Sequence, residues 1–307
     1  MVGFRPTTAR APLCARDFTN REVPKPMNPS NDPSWLHGAG VVVTGAGNGI
    51  GRALAHRLAR AGARVAVNDR DATACTAVAD EIGGYALPGD AAAEDAVHEL
   101  ISQARQAIGS IDIYFANAGI ETGAHDAEAD WERSWNVNVM AHVRAMRELL
   151  PDWLERGQGR LVVTASAAGL LTMLGSGPYS VTKHAAVAHA EWVSATYGDR
   201  GITVQCLCPQ GVRTRMLPTN EVGDVVFSQG VLEAEQVADE VMDALGDDRF
   251  YILPHPQVAQ YYATRATEPD RWLQGMRRLQ HKIDNAAPSG AARPIAPKIN
   301  ETTGPRS

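Results

Sequence analysis

Three residues carry the most direct chemical potential in this chain: Ser166, Tyr179 and Lys183. Tyr179 and Lys183 are four positions apart, so on a helix they share one face. Ser166 stands twelve intervening residues before Tyr179, at the end of the apolar run RLVVTAS. A phenol with an ordinary pKa of about 10 is no base at neutral pH. A lysine ammonium beside it stabilises the phenolate and lowers that value. Tyr179 would then take a proton from a hydroxyl group in one direction and return it in the other, while Ser166 holds the substrate oxygen. A Tyr-x-x-x-Lys pair on its own is ordinarily an amphipathic surface contact. Its place after a strand-end serine, and downstream of a glycine-rich loop, favours chemistry here.

That loop is VVVTGAGNGIG, Val41 to Gly51, with Thr44, Gly45, Gly47, Asn48, Gly49, Ile50 and Gly51 after three β-branched residues. An apolar run that breaks into glycines and resumes as RALAHRLARAG reads as strand, tight turn and helix, the first βα unit of a dinucleotide-binding fold. Gly45 suits the sharp exit from the strand, Gly49 the close approach of a pyrophosphate, and Gly51 the packing of the new helix. The helix N-terminus offers N–H groups and partial positive charge to the phosphates, over Gly47 to Ile50. Asp69 ends the next strand, about 18 residues on; its carboxylate can accept both ribose hydroxyls and repels a 2′-phosphate, which favours NAD. Arg70 beside it is able to pair with such a phosphate, so NADP stays possible. Asp90, with Ala91, follows the third strand and can bind the adenine amino group, cap the following helix, or do both. Asn117, Ala118 and Gly119 follow the fourth strand, where small residues admit the cofactor and Asn117 can tie neighbouring strands together. With an oxidised nicotinamide in place, its positive charge adds to that of Lys183 in favouring the Tyr179 phenolate.

The elements that must hold these residues alternate along the chain. Strands are expected at 41–44, 64–67, 85–87, 111–115, 160–164, 202–207 and 250–253. Helices are expected at 52–61, 72–82, 91–107, 129–156 (broken near Pro151), 178–197 and 233–245. This predicts an α/β, Rossmann-like doubly wound sheet of seven mainly parallel strands with helices on both faces. Residues 1–36, rich in proline, read as a disordered extension, 37–284 as a single dinucleotide-binding domain and 285–307 as a disordered tail. The domain includes a C-terminal helical extension over about 255–284, expected to pack over the site or against another subunit. His255 within it is not expected to act in the chemistry.

Composition narrows the alternatives. A formal charge of -6 and a pI near 5.9 argue against nucleic acid or an anionic membrane as partner. No apolar run approaches the roughly 18–20 residues of a membrane span. Four cysteines in 307 residues read as free thiols of a reducing compartment, and the expected location is cytoplasmic. Cys206-x-Cys208 has no second pair at zinc spacing, so no metal site is expected. Met173, Leu174, Met216 and Leu217 are candidates for an apolar substrate wall, and the short lobe from Arg215 to about Gly230 names no substrate.

Together TGAGNGIG, NAG at 117–119, the serine of SAAG at 166–169 and YSVTK at 179–183 resemble the single-domain branch of the short-chain dehydrogenase/reductase family. The resemblance runs from about Val41 to Leu253. It implies an NAD-dependent oxidoreductase moving a hydride between a secondary alcohol or ketone and nicotinamide. It also implies that Asn138, rather than its neighbour Asn136, is a fourth catalytic residue, holding a water that links the lysine to solvent. Lys183 would contact the nicotinamide ribose, and Pro209, Val212 and Thr214 the nicotinamide side. The family's Pro-Gly is here Pro209-Gln210-Gly211, which leaves open whether Gln210 faces the substrate pocket. Family members are usually dimers or tetramers joined through the two long helices, which implies a homodimer or homotetramer. Two other readings stand beside this one: an NADPH-dependent carbonyl reductase, suggested by Arg70, and a non-catalytic dinucleotide-binding protein, opposed by the presence of both Tyr179 and Lys183.

Overall fold

A computed structural model of the chain describes residues 33–123, 127–217 and 230–286. The expected extension before Pro33, most of the expected substrate lobe and the expected tail beyond 286 lie outside the described residues. Described structure begins with a 3-10 turn, Pro33–Leu36, whose Leu36 is buried.

Seven strands, β1 (Gly40–Thr44), β2 (Arg64–Asp69), β3 (Tyr85–Pro88), β4 (Ile113–Ala116), β5 (Gly159–Thr164), β6 (Ile202–Leu207) and β7 (Tyr251–Ile252), form one sheet in the order 3-2-1-4-5-6-7. Every pairing is parallel. Helices α1 (Gly49–Arg60), α2 (Ala72–Ile82) and α7 (Ala234–Asp247) bury residues against one face; α3 (Glu94–Ile108), α5 (Ala141–Arg156) and α6 (Gly177–Tyr197) bury theirs against the other. The valine run of β1 shows why that sequence has no polar alternation. Val41 and Val43 pack on the first face and Val42 on the second, because side chains alternate and both faces are covered. The chain reverses its direction of sheet growth between β1 and β4, so a crevice opens at their C-terminal ends.

Three local expectations are corrected. The helical region after residue 127 does not break at Pro151. It comprises α4 (Glu128–Trp135), a π-helical turn at Asn136–Met140, and α5, which runs through Pro151. Proline removes one N–H, and the turn beyond it is anchored by Trp153, fully buried, whose Nε1–H donates to the Ile111 carbonyl at 2.7 Å. The helix expected from Ala91 starts at Glu94, because the Asp90 carboxylate accepts from the Ala92 and Ala93 N–H groups and holds a turn ahead of it. Strand β4 begins at Ile113 rather than Ile111; the Ile111 carbonyl is taken by the Trp153 and Arg156 side chains rather than by a neighbouring strand.

Beyond β7 the chain continues into α8 (Gln257–Thr267) and α9 (Pro269–Ala286). Val258 enters the core on the α6 side, with Tyr261, Tyr262 and Trp272 packed against it. Arg265 donates to the Leu170 carbonyl at 2.6 Å, and Tyr251 OH to Glu191 at 2.6 Å. The extension thus lies against the segment that follows β5.

Candidate active site

The glycine loop turns out of β1 with Gly45 at φ +62, a left-handed conformation that strains any residue with a side chain. The loop is also closely packed. A methyl group on Gly47 would stand 2.9 Å from Asp69 Oδ2, and one on Gly51 would stand 2.3 Å from the Gly45 carbonyl oxygen. Helix α1 starts at Gly49 after Asn48, whose side chain does not cap it. Its first N–H groups therefore face out of the loop without intrahelical partners.

Asp69 is turned toward that loop, its Oδ2 accepting from Gly47 N–H at 2.9 Å and its Oδ1 from Asp71 N–H at 3.0 Å. A carboxylate has about four lone-pair directions, so acceptor capacity remains for ribose hydroxyls. Arg70 is exposed beside it. Asp90 holds the turn ahead of α3 rather than capping the helix itself, and Ala91 is buried next to it.

Asn117 ties three strands together at the crevice. Its Nδ2 donates to the Thr44 carbonyl at 2.9 Å, and its Oδ1 accepts from Thr164 Oγ1 at 3.0 Å. Thr44 Oγ1 donates to the Phe115 carbonyl and accepts from the Asn117 and Ala118 N–H groups. Ala118 borders Gly45, and Gly119 leaves room for Lys183 Nζ, which a methyl group there would approach to 3.1 Å.

Ser166, Tyr179 and Lys183 come together here. Ser166 follows β5 and caps a 3-10 turn, Ala167–Gly169; its Oγ accepts from Ala168 N–H at 3.0 Å and donates to the Pro209 carbonyl at 3.4 Å. Tyr179 and Lys183 lie on the first turns of α6, which begins at Gly177 with Pro178 in its first turn. Lys183 Nζ is 5.6 Å from the Tyr179 ring centroid and donates to the Thr164 carbonyl at 2.9 Å. Burial pushes Tyr179 up to about 12, opposed by a hydrogen bond to Ser166 and reinforced by the Glu121 charge. Burial brings Lys183 down to about 8. The sequence expectation had Lys183 lowering Tyr179; in the structure burial raises it, and the group that opposes the rise is Ser166.

The π turn before α5 presents Asn138, fully buried, to the same place. Its Oδ1 accepts from Ile120 N–H at 2.9 Å, and its Nδ2 donates to the Ile120 carbonyl at 2.9 Å and to Thr182 Oγ1 at 3.0 Å. Asn136 points elsewhere, accepting from Arg144 at 2.6 Å. On the far side of the crevice Val212 is buried, and Thr214 meets the glycine loop, with its Cγ2 2.9 Å from where a Gly49 methyl would be. The Gln210 side chain is tied to the C-terminal extension, its Oε1 accepting from Gln257 Nε2 at 3.1 Å. Met216 is exposed and Met173 and Leu174 are partly buried.

Sequence reasoning did not single out Thr164, Thr182, Glu121 or His142. Thr182 was legible inside YSVTK, and His142 one helical turn after Asn138. Cys206 and Cys208 are both buried on one side of the sheet, with sulfurs 3.8 Å apart. Among the described residues no cluster of three potential metal ligands occurs, and no helix is long and apolar enough to cross a membrane.

Residues 39–223 match the family model described as short chain dehydrogenase. A 1-deoxy-11-beta-hydroxypentalenate dehydrogenase of Streptomyces exfoliatus is 37% identical over 227 residues, 69% of this chain and 81% of that one. A 2,5-dichloro-2,5-cyclohexadiene-1,4-diol dehydrogenase of Sphingobium indicum is 40% identical over 191 residues, 60% of this chain and 76% of that one. Among solved structures, a short chain dehydrogenase/reductase from Burkholderia phymatum in complex with NAD superposes with a TM-score of 0.70 at 28% identity, covering 76% of this chain and 95% of that one.

Proposed function

The chain belongs to the short chain dehydrogenase family, and on that premise we propose that it interconverts a secondary alcohol and its ketone with NAD, using Tyr179 as the acid/base. That it is an oxidoreductase acting on a CH–OH group follows from the family and from the dehydrogenases it resembles. The observation that carries the finer reading is the meeting of Ser166, Tyr179 and Lys183 beside a glycine loop with an uncapped helix N-terminus.

The residues present fit a dinucleotide. The loop has no room for side chains where the phosphates would lie, and Asp69 stands at its edge with acceptor capacity to spare. Thr44, Gly45, Gly47, Asn48, Gly49, Ile50 and Gly51 would hold the pyrophosphate. Asp69 would hold the adenosine ribose, Asp90 and Ala91 would border the adenine, and Asn117, Ala118 and Gly119 would line the middle. Lys183 would hold the nicotinamide ribose, and Pro209, Val212 and Thr214 the nicotinamide. NAD supplies the hydride acceptor when bound. Asp69 supports NAD over NADP, because a carboxylate opposes a 2′-phosphate; the exposed Arg70 is what keeps an NADPH-dependent carbonyl reductase as the second reading.

In alcohol oxidation Tyr179 takes the hydroxyl proton, and Ser166 donates a hydrogen bond to the substrate oxygen. To do so Ser166 releases its long contact to the Pro209 carbonyl. Lys183, fixed by Thr164, holds its positive charge at the phenol. Asn138, whose side chain fixes Ile120 and Thr182, shapes the path by which Lys183 exchanges protons with solvent. In the reverse direction Tyr179 gives its proton to the carbonyl oxygen. A homodimer or homotetramer joined through α5 and α6, at work in the cytoplasm, completes the proposal; the exposed Val181 and Trp192 on α6 support the assembly.

Fluorescence titration with NADH and NADPH, followed by a screen of secondary alcohols with NAD read by absorbance of the reduced cofactor, tests this. Tyr179→Phe is expected to bind NADH as the wild type does and to lose at least about a thousandfold in turnover. Near-normal activity in that variant would remove Tyr179 from the chemistry, and tighter binding of NADPH than NADH would remove the Asp69 argument.

A further inference from the structure

We propose that His255, in the segment between β7 and α8, is a positioning residue for the loop 209–214, and that through it the C-terminal helices set the affinity for the nicotinamide half of the cofactor. The inference rests on the reading above. His255 is 3% exposed and makes two hydrogen bonds to adjacent residues of that loop. Its Nδ1 accepts from the Gln210 N–H at 3.1 Å and its Nε2 donates to the Gly211 carbonyl at 3.1 Å. The partners fix the tautomer, since an amide N–H can only donate and a carbonyl can only accept. Burial, which pushes the imidazole below the usual histidine range, favours the same neutral form. Gln257, two residues on, holds the Gln210 side chain as well. The residue that departs from the family's Pro-Gly is thus gripped by both its backbone and its side chain.

The other end of the grip is the chemistry. The Pro209 carbonyl accepts from Ala167 N–H at 2.8 Å and from Ser166 Oγ at 3.4 Å. Downstream, Arg213 N–H donates to the Leu232 carbonyl, and Thr214 reaches the glycine loop at Gly49. The loop is therefore held at three places, Ser166, His255 and Leu232. A turn at 209–211 places the Gln210 N–H where neither strand nor helix satisfies it, while the Gly211 carbonyl accepts from the Leu232 N–H at 3.0 Å as well. The imidazole ring takes the Gln210 N–H and shares the Gly211 carbonyl with the Leu232 N–H, so alanine would leave the Gln210 N–H without that partner. Val258, fully buried three residues later, anchors the ring's own segment. Losing the ring loosens the Gln210 end of the loop that carries Val212 and Thr214, with the bridge to Leu232 retained, and leaves Asp69 and the adenosine side untouched.

The test compares dissociation constants for NADH and for ADP-ribose, which lacks the nicotinamide, in the full-length wild type, His255→Ala, His255→Asn and Gln257→Ala. His255→Ala is expected to weaken NADH about tenfold or more while ADP-ribose binding changes less than about twofold. His255→Asn, whose Oδ1 can still accept from Gln210 N–H, recovers part of the loss, and Gln257→Ala shows a smaller selective loss. Parallel weakening of both ligands, or unchanged NADH binding, overturns the proposal. If His255→Ala does not fold, the Asn and Gln257 variants decide in the same way. A wild-type protein that binds ADP-ribose but not NADH overturns the cofactor reading and the inference together, an outcome distinct from loss of selectivity in the variants.

Discussion

His142 makes stability pH-dependent beneath the proposed catalytic lysine. It lies on α5, one turn after Asn138, is 1% exposed, and neither ring nitrogen has a hydrogen-bond partner among the described residues. Burial lowers its pKa to about 3, and the charges of Lys183 and His189 act in the same direction. The folded value thus lies below the ordinary 6.5 of the unfolded chain. Between those values the unfolded chain binds a proton that the native protein refuses. The contribution is complete above about pH 6.5 and drains away as pH falls. Each pH unit in that window is worth about 1.4 kcal/mol. Lowering the pH from about 8 to about 5 crosses some one and a half units of it, or about 2 kcal/mol. For a chain of this size that is about 4–8 °C in Tm. His142→Leu replaces the ring by an apolar side chain of similar volume. Thermal melts of both proteins at the two pH values should show the wild type losing about 4–8 °C more than the variant. His189 and His255, both lowered by burial, leave part of the acid sensitivity in either protein. An identical pH dependence in the two, whatever their absolute Tm, would refute the reasoning.

Asp69→Asn keeps the size of the side chain and an acceptor for Gly47 N–H but removes the charge. The ratio of NADPH to NADH affinity, read by fluorescence titration, should rise about tenfold, and a ratio unchanged within about twofold would show that the carboxylate does not select the cofactor. Asn117→Ala strips the link between the Thr44 carbonyl and Thr164 Oγ1. It should cost about 2–3 kcal/mol, or about 5–10 °C in Tm; a melt within about 1 °C of wild type would mean the strands do not depend on that tie.

The sheet was legible because its physics is written in local patterns. Three consecutive valines at β1 announce a strand covered on both faces, and the glycines after them announce a loop with no room for side chains. Tyr179 and Lys183 were legible because four residues are one helical turn. What escaped were effects of distance. Pro151 broke the local rule for helices and was overruled by Trp153, whose ring is held by Ile111, 42 residues away in sequence. The partner of Gln210 lay 47 residues downstream in Gln257, and no spacing announces such a pairing. The contacts of the Asp90 carboxylate with the Ala92 and Ala93 amides were likewise visible only in the geometry.

The ionisation of Tyr179 shows how burial can serve the proposed reaction. With Tyr179 at about 12 and Lys183 at about 8, both groups keep their protons at pH 7, the lysine by roughly ten to one. The resting phenol is already the acid that carbonyl reduction needs. Alcohol oxidation needs the phenolate, which the same desolvation penalises unless positive charge lies close by. Lys183 supplies one such charge and is held at the ring face by Thr164. An oxidised nicotinamide carries a second positive charge and a reduced one does not. In a site with little water, each charge acts more strongly than it would at the surface. With NAD bound as proposed, the phenolate would therefore be favoured while the cofactor is oxidised, and the phenol once it is reduced. A solvent-exposed tyrosine, with its charge screened by water, would lack that dependence. In the proposed reaction, the burial that raises Tyr179 would thus tie proton movement to hydride movement.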